Sequence, residues 1–288
     1  MIKDETKNQI RGGMLYLVAT PIGNLSDLSE RAVKVLSEVD FIAAEDTRNS
    51  LRLLTHLGIS KPMLSYHEHN RRERGEEIAE RLSAGESCAL VTDAGTPAIS
   101  DPGEDLVALC AERDIPVTSI PGACAFVTAL TLSGLPTARF SFEGFLPVPK
   151  KERRERLAEL AEETRTFLLH EAPHKLVRTL TDLAEVLGGE RRIALCRELT
   201  KLNEEILRTT ISGAIAYYEE REPRGEYVLV IEGGVKTLKT EMPKRSVEET
   251  VRAYLAEGKS RNEAVKAAAK ELGLSRNEVY AQTIGQDG

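Results

Sequence analysis

The chain has 288 residues, of which 41% are hydrophobic and 30% are charged, and its formal net charge is −7. This length predicts about two domains of roughly 100–200 residues each, with enough apolar residues for a buried core. The acidic balance does not by itself indicate a nucleic-acid partner, and no stretch approaches the ~20 apolar residues of a membrane span.

Residues 1–13 are polar and charged and lack the apolar core of a secretion signal, which predicts a flexible tail. The cysteines stand singly in apolar segments, without a CxxC or CxxH cluster; they are Cys88, Cys110, Cys124 and Cys196. This pattern predicts buried free thiols rather than disulfides or a zinc site. We therefore expect no metal, no membrane association and a location in the reducing cytoplasm.

Between residues 14 and 125, short apolar runs alternate with amphipathic segments. The apolar runs predict four strands, at 15–19, 41–44, 88–91 and 115–120. Helical spacing of apolar residues separates them, at 29–36, 49–57, 76–82 and 105–112. Strands that alternate with helices form a mostly parallel sheet, so we predict an N-terminal α/β domain over residues 14–125.

Residues 126–236 have a different pattern, with more strands and fewer helices between them. The strand candidates lie at 140–145, 166–170, 193–196, 205–211 and 227–231. A helix is predicted over 176–187, and a charged helix begins at Lys150. We predict a second α/β domain, with a mixed sheet and flanking helices.

The last segment, residues 237–288, is predicted to contain a polar linker, 237–245, and a small helical domain. Three Ser-x-x-Glu capping boxes predict three short helices, and Gly273 separates the last two. This arrangement resembles a helix-turn-helix unit, which either binds nucleic acid or packs as an appendage. The capping boxes pair Ser246 with Glu249, Ser260 with Glu263, and Ser275 with Glu278.

Three loops rich in proline and glycine follow the first, third and fourth predicted strands, at 20–27, 92–103 and 121–125. In an open α/β sheet, ligands bind beyond the carboxyl ends of the strands. Proline fixes φ and glycine lets the backbone approach a ligand closely. The loops therefore favour a binding cleft for an adenosine and an amino-acid group over ordinary tight turns.

Several common catalytic signatures are missing from the chain. It has no GxxxxGK[ST] phosphate loop and no GxGxxG after the first predicted strand, which argues against nucleotide hydrolysis and an ordinary dinucleotide site. It also has no GxSxG motif, so serine-hydrolase chemistry is unsupported.

Two polar clusters lie near the predicted cleft. Residues 45–48 (Glu-Asp-Thr-Arg) directly follow the second predicted strand, a place where a helix cap and a surface ion pair are also common. Residues 170–175 (His-Glu-Ala-Pro-His-Lys) follow a strand of the second half. That density of polar groups exceeds what packing needs and favours a site.

The motifs form a set that is more specific than any single one of them. They are ATPIGNL at 19–25, AEDTR at 44–48, TDAGTP at 92–97, SDPG at 100–103 and IPGA at 120–123. SGLP at 133–136, EGFLP at 143–147, RELTK at 197–201 and GEY at 225–227 extend the set over nearly the whole chain. The set resembles that of the ribosomal RNA small subunit methyltransferase I family, a branch of the tetrapyrrole-methylase superfamily.

The resemblance implies two α/β domains of the class III methyltransferase type, with S-adenosylmethionine in the cleft between them, and a homodimer. It implies 2′-O-methylation of a cytidine ribose in the 16S rRNA of the small ribosomal subunit. It also assigns the cofactor to Pro21, Ala94, Gly95, Thr96, Ile99, Cys124, Ala125, Glu171 and Leu199.

Two departures separate this chain from tetrapyrrole enzymes. It carries Gly-Thr-Pro at 95–97 where they usually carry Gly-Asp-Pro, and Pro-Ile-Gly-Asn at 21–24 where they usually carry Gly-Pro-Gly-Asp. Both departures match the rRNA branch. The cluster at 170–175 differs from the Tyr-Glu-Ser-Pro-His-Arg form of that branch.

A ribose hydroxyl is a poor nucleophile at neutral pH, so a carboxylate or histidine near it is expected to accept its proton. The candidates are Glu45, Asp46, Glu171 and His174, with Glu171 nearest the methyl group. Basic side chains are expected to hold RNA phosphates. These are Arg48, Arg71, Arg72, Arg74, Lys151, Arg153, Arg154 and Lys175.

Two alternatives remain open from the sequence. A precorrin or uroporphyrinogen methyltransferase would share the cofactor cleft but would need neither basic patches nor a helical tail. A non-catalytic ribosome-assembly factor that senses S-adenosylmethionine would bind the cofactor and form no methylated product.

Overall fold

The computed structural model describes residues 9–235 and 246–283. The chain divides into two compact units, Met1–Gly234 and Val235–Gly288. Most of the predicted tail and all of the predicted linker lie outside the described residues. Within the described ranges, no helix has the length and apolar character needed to cross a membrane.

The first sheet has five strands in the order β3-β2-β4-β1-β5, and every pair in it is parallel. This confirms the predicted parallel sheet. The third strand was not predicted, because it is only three residues long and half-buried. The strands are β1 (Leu15–Val18), β2 (Phe41–Ala44), β3 (Met63–Ser65), β4 (Cys88–Val91) and β5 (Val117–Ile120).

Helices cover both faces of this sheet, which is why its central strands are apolar at every position. They are α1 (Glu30–Glu38), α2 (Thr47–His56), α3 (Arg71–Ser83) and α4 (Glu104–Glu112). Successive strand residues point to opposite faces. Leu90 packs with Ile78 of α3 and Leu106 of α4, whereas Val91 packs with Val35 of α1 and Leu54 of α2.

The second sheet has the order β6-β7-β10-β8-β9, and only β6 and β7 are parallel. The predicted mixed sheet is thereby confirmed. Its strands are β6 (Phe140–Phe142), β7 (Thr166–Glu171), β8 (Arg192–Arg197), β9 (Glu205–Thr210) and β10 (Tyr227–Ile231).

The second sheet packs α6, α7 and α8 on one face and α5 on the other. The helix α5 begins directly after the third Pro/Gly loop, so it carries the chain from the first sheet onto the second. The four helices are α5 (Ala125–Ser133), α6 (Lys150–Ala161), α7 (Leu176–Leu187) and α8 (Ile211–Glu219).

The second unit contains α9 (Val247–Ala256), α10 (Arg261–Leu272) and α11 (Arg276–Thr283). The three predicted capping boxes are confirmed, since each serine and glutamate cap one another's backbone N–H groups. Gly273 ends α10 in the left-handed conformation, at φ 68°. Val251, Val265 and Val279 contribute to a small core between the three helices.

Candidate functional site

The three Pro/Gly loops meet at one edge of the first sheet. Because β4, β1 and β5 are neighbours, their carboxyl ends bring the loops together. The N–H of Thr20 donates to the Gly95 carbonyl at 2.9 Å, and the Gly95 N–H donates back at 3.1 Å. The Thr96 hydroxyl donates to the Ala123 carbonyl at 3.0 Å. These bonds join the first loop to the second and the second to the third.

A cavity of about 510 Å³ lies beside the joined loops. Its volume falls in the range of about 300–1,000 Å³ that is typical of small-molecule sites. The loops contribute Ile22, Ala94, Ser100 and Asp101 to its lining, and α5 contributes Ala125. The second sheet and its loops line the opposite side, with Phe145, His170–His174, Cys196, Leu199, Lys201 and Glu226–Val228.

The loop at 92–103 has an unusual backbone. Ala98 and Ser100 have φ values of 67° and 63°, a region that residues with a side chain rarely occupy. Such residues cost about 1–3 kcal/mol each and persist only where their surroundings hold them. At Gly103, with φ 143°, a Cβ atom would lie 2.8 Å from Leu90 Cδ2 and 3.2 Å from the Ala98 nitrogen. The loop is therefore held rigidly against β4 and presents its backbone groups in set positions.

Asp101 is the carboxylate that this rigid loop brings to the cavity. Its burial, together with the nearby charge of Glu45, raises the pKa of Asp101 to about 6. A carboxylate with a pKa near the working pH suits proton transfer. Asp101 lies in the SDPG motif, but no role was predicted for it. The burial that shifts its pKa comes from chain segments that are far apart in sequence.

The predicted proton acceptor Asp46 has a structural role. Its carboxylate caps α2 by accepting from the Arg48 N–H at 2.8 Å, and it pairs with the Arg48 guanidinium at 2.7 Å. These bonds to Arg48 lower the pKa of Asp46 to about 2, which leaves it a very weak base. Glu45, next to it, accepts from the Asp93 N–H at 3.3 Å. These contacts favour a structural role for Asp46, and its predicted part in proton transfer stays a prediction.

Glu171 lies at the carboxyl end of β7, lines the cavity and is only 5% exposed. One carboxylate oxygen accepts from the Ala172 N–H at 2.8 Å, and the other accepts from the Thr179 hydroxyl. Thr179 in turn accepts from Arg153 at 2.8 Å, and Arg153 pairs with Asp182 at 2.7 Å. Both oxygens of Glu171 are therefore held by a buried network that runs through α7 to α6.

Replacing Thr179 with valine is expected to lower the free energy of unfolding by about 1–3 kcal/mol, because Glu171 and Arg153 each lose a buried hydrogen bond. Cofactor affinity is expected to fall as well, since one oxygen of Glu171 is released. Chemical denaturation and titration calorimetry measure the two effects. Thr179→Ser keeps the hydroxyl and is the control. Equal cofactor affinity in the valine and serine variants would refute the positioning role.

Two histidines of the predicted polar cluster line the cavity, in different surroundings. His170 packs edge to face against Phe142 and Phe145, and burial lowers its pKa, so it is neutral at pH 7. His174 is exposed in a single helical turn, Pro173–Lys175, and its predicted part in proton transfer stays a prediction. Lys175, in the same turn, is half-buried.

A cation at the cavity lining was missed by the sequence analysis. The Lys201 ammonium donates to Glu198 and Glu226, each at 2.9 Å. Burial acts to lower the pKa of Lys201, but the bonds to the two carboxylates outweigh it and raise the pKa. The motif RELTK contains this lysine, yet Glu226 comes from the start of β10, so only the fold brings the three together.

The predicted cofactor residues all lie in or beside this cavity. Those that line it are Ala94, Ala125, Glu171 and Leu199. The others lie in the joined loops beside lining residues; they are Pro21, Gly95, Thr96, Ile99 and Cys124. Their contacts with a cofactor stay predictions. Across residues 9–235 and 246–283, no group of three or more His, Cys, Asp or Glu side chains is arranged to hold a metal ion.

The residues predicted to contact RNA differ in their solvent exposure and in their ion pairs. Arg72 and Arg154 are exposed, as are Lys151, which pairs with Glu155 at 3.9 Å, and Arg48 beside Asp46. Arg71 pairs with Asp105, and Arg74 pairs with Glu77. The prediction that Arg153 contacts RNA is corrected, because its side chain is only 7% exposed and is held by Thr179 and Asp182. A run of charges predicts a solvated helix face, but one turn of α6 faces α7 instead.

Comparisons with known proteins agree with this geometry. The family model described as Tetrapyrrole (Corrin/Porphyrin) Methylases matches residues 14–215. The chain is 49% identical to "Ribosomal RNA small subunit methyltransferase I" of Synechocystis sp., covering 94% of this chain and 98% of that protein. It is 45% identical to the protein of the same name from Halalkalibacterium halodurans, with 93% of each covered.

A solved structure extends the comparison to the fold. The structure of uroporphyrin-III C-methyltransferase from Thermus thermophilus complexed with S-adenosyl homocysteine has a TM-score of 0.53 and 18% sequence identity. The match covers 76% of this chain and 97% of that one. At this identity the similarity establishes a shared fold.

Proposed function

The chain belongs to the tetrapyrrole methylase family and, within it, to the ribosomal RNA small subunit methyltransferase I family, and from that premise we propose that it methylates a cytidine ribose 2′-hydroxyl in the 16S rRNA of the small ribosomal subunit. The methyl donor is S-adenosylmethionine. The observation that carries the proposal is the single cavity where three rigid loops meet the second sheet. A homodimer in the cytoplasm is part of the same proposal.

The cavity lining fits the proposed cofactor. Its small apolar side chains, Ala94, Ala125 and Leu199, leave room for the adenosine group. Glu171 provides negative charge for the positively charged groups of the cofactor. When bound, the cofactor supplies an electrophilic methyl group together with its leaving group. The protein's own task is to align the ribose hydroxyl and to accept its proton.

We propose that Asp101 accepts the proton of the ribose hydroxyl. Its pKa of about 6 makes it ionised at neutral pH while it remains a usable base. Glu171 is less suited, because both of its oxygens already accept hydrogen bonds from Ala172 and Thr179. Its buried charge has a different use, which is to orient and stabilise positive charge in the cavity.

The test of the function is transfer of a labelled methyl group. Purified protein is incubated with methyl-labelled S-adenosylmethionine and either unmodified small subunits or uroporphyrinogen. Label is expected in 16S rRNA, recovered as 2′-O-methylcytidine after nuclease digestion and mass spectrometry. Label in the tetrapyrrole would support the alternative methyltransferase. Cofactor binding without any methylated product would support the assembly-factor alternative.

Basic side chains on α6 and at the start of α7 support RNA binding. Lys151 and Arg154 are exposed on α6, which packs on α7 through Arg153 and Asp182. Lys175 lies at the start of α7, next to the cavity-lining His174. This places the exposed face of α6 on the same side of the second sheet as Lys175 and α7. We propose that these cations bind the RNA backbone on either side of the target nucleotide.

Replacing Lys151, Arg154 and Lys175 together with glutamine is expected to weaken subunit binding. It is also expected to reduce the slope of log K against log salt by about 2, since each phosphate contact contributes about 0.7–0.9. Filter binding at several salt concentrations measures both. The control is Lys34→Gln, whose ammonium pairs with Glu38 on α1. An unchanged slope in the triple variant would place the RNA elsewhere.

A further inference from the structure

Phe145 is an aromatic ring on the lining of the cavity that is 57% exposed. Single exposed apolar side chains are common on protein surfaces, so exposure alone indicates nothing. What distinguishes Phe145 is that its ring and its backbone are both held in place, and that the proposed proton acceptor, Asp101, lines the same cavity.

The ring of Phe145 belongs to a series of aromatic contacts that begins in the core. Phe126 of α5 stacks on Phe142 of β6, with ring centroids 4.3 Å apart. Phe142 contacts the His170 ring at 5.1 Å, and His170 contacts Phe145 at 5.5 Å with an interplanar angle of 81°. Among the described residues, no ring stacks face to face on Phe145. The series positions the ring without occupying both of its faces.

The backbone before Phe145 is held against the rigid loop that carries Asp101. Gly144 has φ 62°, and its carbonyl accepts from the His170 N–H at 2.8 Å. A Cβ atom at Gly144 would lie 3.2 Å from the Ser100 hydroxyl oxygen. Residues 144 and 100 are thus close neighbours, and the residues that follow them, Phe145 and Asp101, line the same cavity.

We propose that Phe145 is the surface on which the base of the target nucleotide stacks. A ribose hydroxyl reaches a carboxylate in a cavity most readily when its nucleotide is unstacked from the RNA, and proteins that bind unstacked nucleotides hold their bases against aromatic side chains. In this proposal the ribose of the stacked pyrimidine faces Asp101, which lines the same cavity. The inference rests on the proposed function and adds a base subsite to it.

The test compares three substitutions of Phe145. Phe145→Ala and Phe145→Leu both remove the ring, and Leu keeps apolar bulk, whereas Phe145→Tyr keeps the ring. Loss of a base–aromatic stack is expected to lower kcat/KM for small subunits about 5- to 150-fold in the Ala and Leu variants. The Tyr variant is expected to stay near wild type. Thermal denaturation is expected to give the same Tm in all four proteins, which checks their folding.

A second arm separates base stacking from other roles of Phe145. Small subunits are reconstituted with 16S rRNA that lacks the base at the target nucleotide. Wild type and Phe145→Ala are expected to bind these subunits equally, because the ring has no base to contact. A persistent difference would mean that Phe145 contacts another part of the subunit, such as a ribosomal protein. Full activity of Phe145→Leu would equally overturn the proposal.

A third measurement does not depend on methyl transfer. RNA with 2-aminopurine at the target position changes fluorescence when that base unstacks from RNA and stacks on a ring. The change is expected with wild type and Phe145→Tyr and is expected to be lost with Phe145→Ala. Identical signals in wild type and Phe145→Ala would overturn the stacking proposal, whereas absence of methylated product from wild type would overturn the proposed function.

Discussion

Replacing Asp101 with asparagine is expected to lower kcat for methyl transfer about 10²–10⁴-fold, the contribution that a positioned general base typically makes. Asparagine has nearly the same shape and keeps the strained loop at 98–103 in place. It cannot accept the proton of the ribose hydroxyl. The affinity for S-adenosylmethionine is expected to change much less than kcat. Single-turnover kinetics with saturating cofactor measures the chemical step directly.

The pH dependence of kcat is an independent test of the role of Asp101. Because burial and Glu45 raise the pKa of Asp101 to about 6, half of the carboxyl groups are ionised near pH 6. In wild type, kcat is expected to rise through about pH 6 and to level off above pH 7. Asp101→Asn is expected to lose this inflection. A rate loss that came only from a disturbed structure would leave the inflection in place.

The raised pKa also has a consequence for stability. The folded protein holds the Asp101 proton more tightly than the unfolded chain, whose carboxyl has the ordinary pKa of 3.8. This contribution to folding is therefore present below about pH 4 and is lost as the pH rises through 6. At neutral pH, Asp101→Asn removes an unfavourable buried charge and is expected to be at least as stable as wild type.

The control for Asp101 is Asp114→Asn. Asp114 is an exposed carboxylate in the turn before β5, at the opposite end of the strand from the third Pro/Gly loop. Its φ of 55° lies in the left-handed region, which asparagine tolerates well. Its kcat is expected to equal that of wild type. An unchanged kcat in Asp101→Asn would mean that Asp101 is not the proton acceptor and would leave Glu45 and Glu171 as the candidates.

Replacing Gly23 with alanine is expected to raise the Kd for S-adenosylmethionine roughly 5- to 150-fold, which corresponds to an overpacking cost of about 1–3 kcal/mol. The added methyl group would lie 2.4 Å from Lys201 Cγ, 2.8 Å from Thr200 Oγ1 and 3.0 Å from the Leu199 carbonyl oxygen. The lysine side chain can move away, but the carbonyl belongs to a backbone segment with positive φ at residues 198 and 200. The loop at 20–27 must then separate from Leu199, on the opposite side of the cavity.

Gly75→Ala is the matched control for this substitution. Gly75 lies inside α3, and a methyl group there would have its nearest neighbours at 3.8 and 3.9 Å, an ordinary contact distance. Alanine favours a helix over glycine by up to about 1 kcal/mol. Its Tm is expected to equal or exceed that of wild type, with an unchanged Kd. Tight cofactor binding by Gly23→Ala would mean that these two loops do not enclose the ligand.

Among the elements that were not predicted from the sequence are α5 and β3, and neither has a regular hydrophobic period. The helix α5 has the sequence AFVTALTLS, which is apolar on most sides and lacks the spacing of an amphipathic helix. It packs over the middle of the second sheet, where Ala129 and Leu130 join the core. The strand β3 is too short to produce a recognisable period.

The amino-acid sequence by itself determined the properties that depend on near neighbours. Apolar runs predicted the strands, Ser-x-x-Glu pairs predicted the three C-terminal caps, and the Pro/Gly loops at strand ends predicted a cleft. The family followed from the resemblance of the whole set of motifs. Only the tertiary structure decided the surroundings of the charged groups. Asp101 acquires its pKa from burial beside Glu45, and Arg153 loses its exposure to Thr179 and Asp182. A side chain's charge and reactivity depend on its surroundings, and those come from segments that meet only when the chain folds.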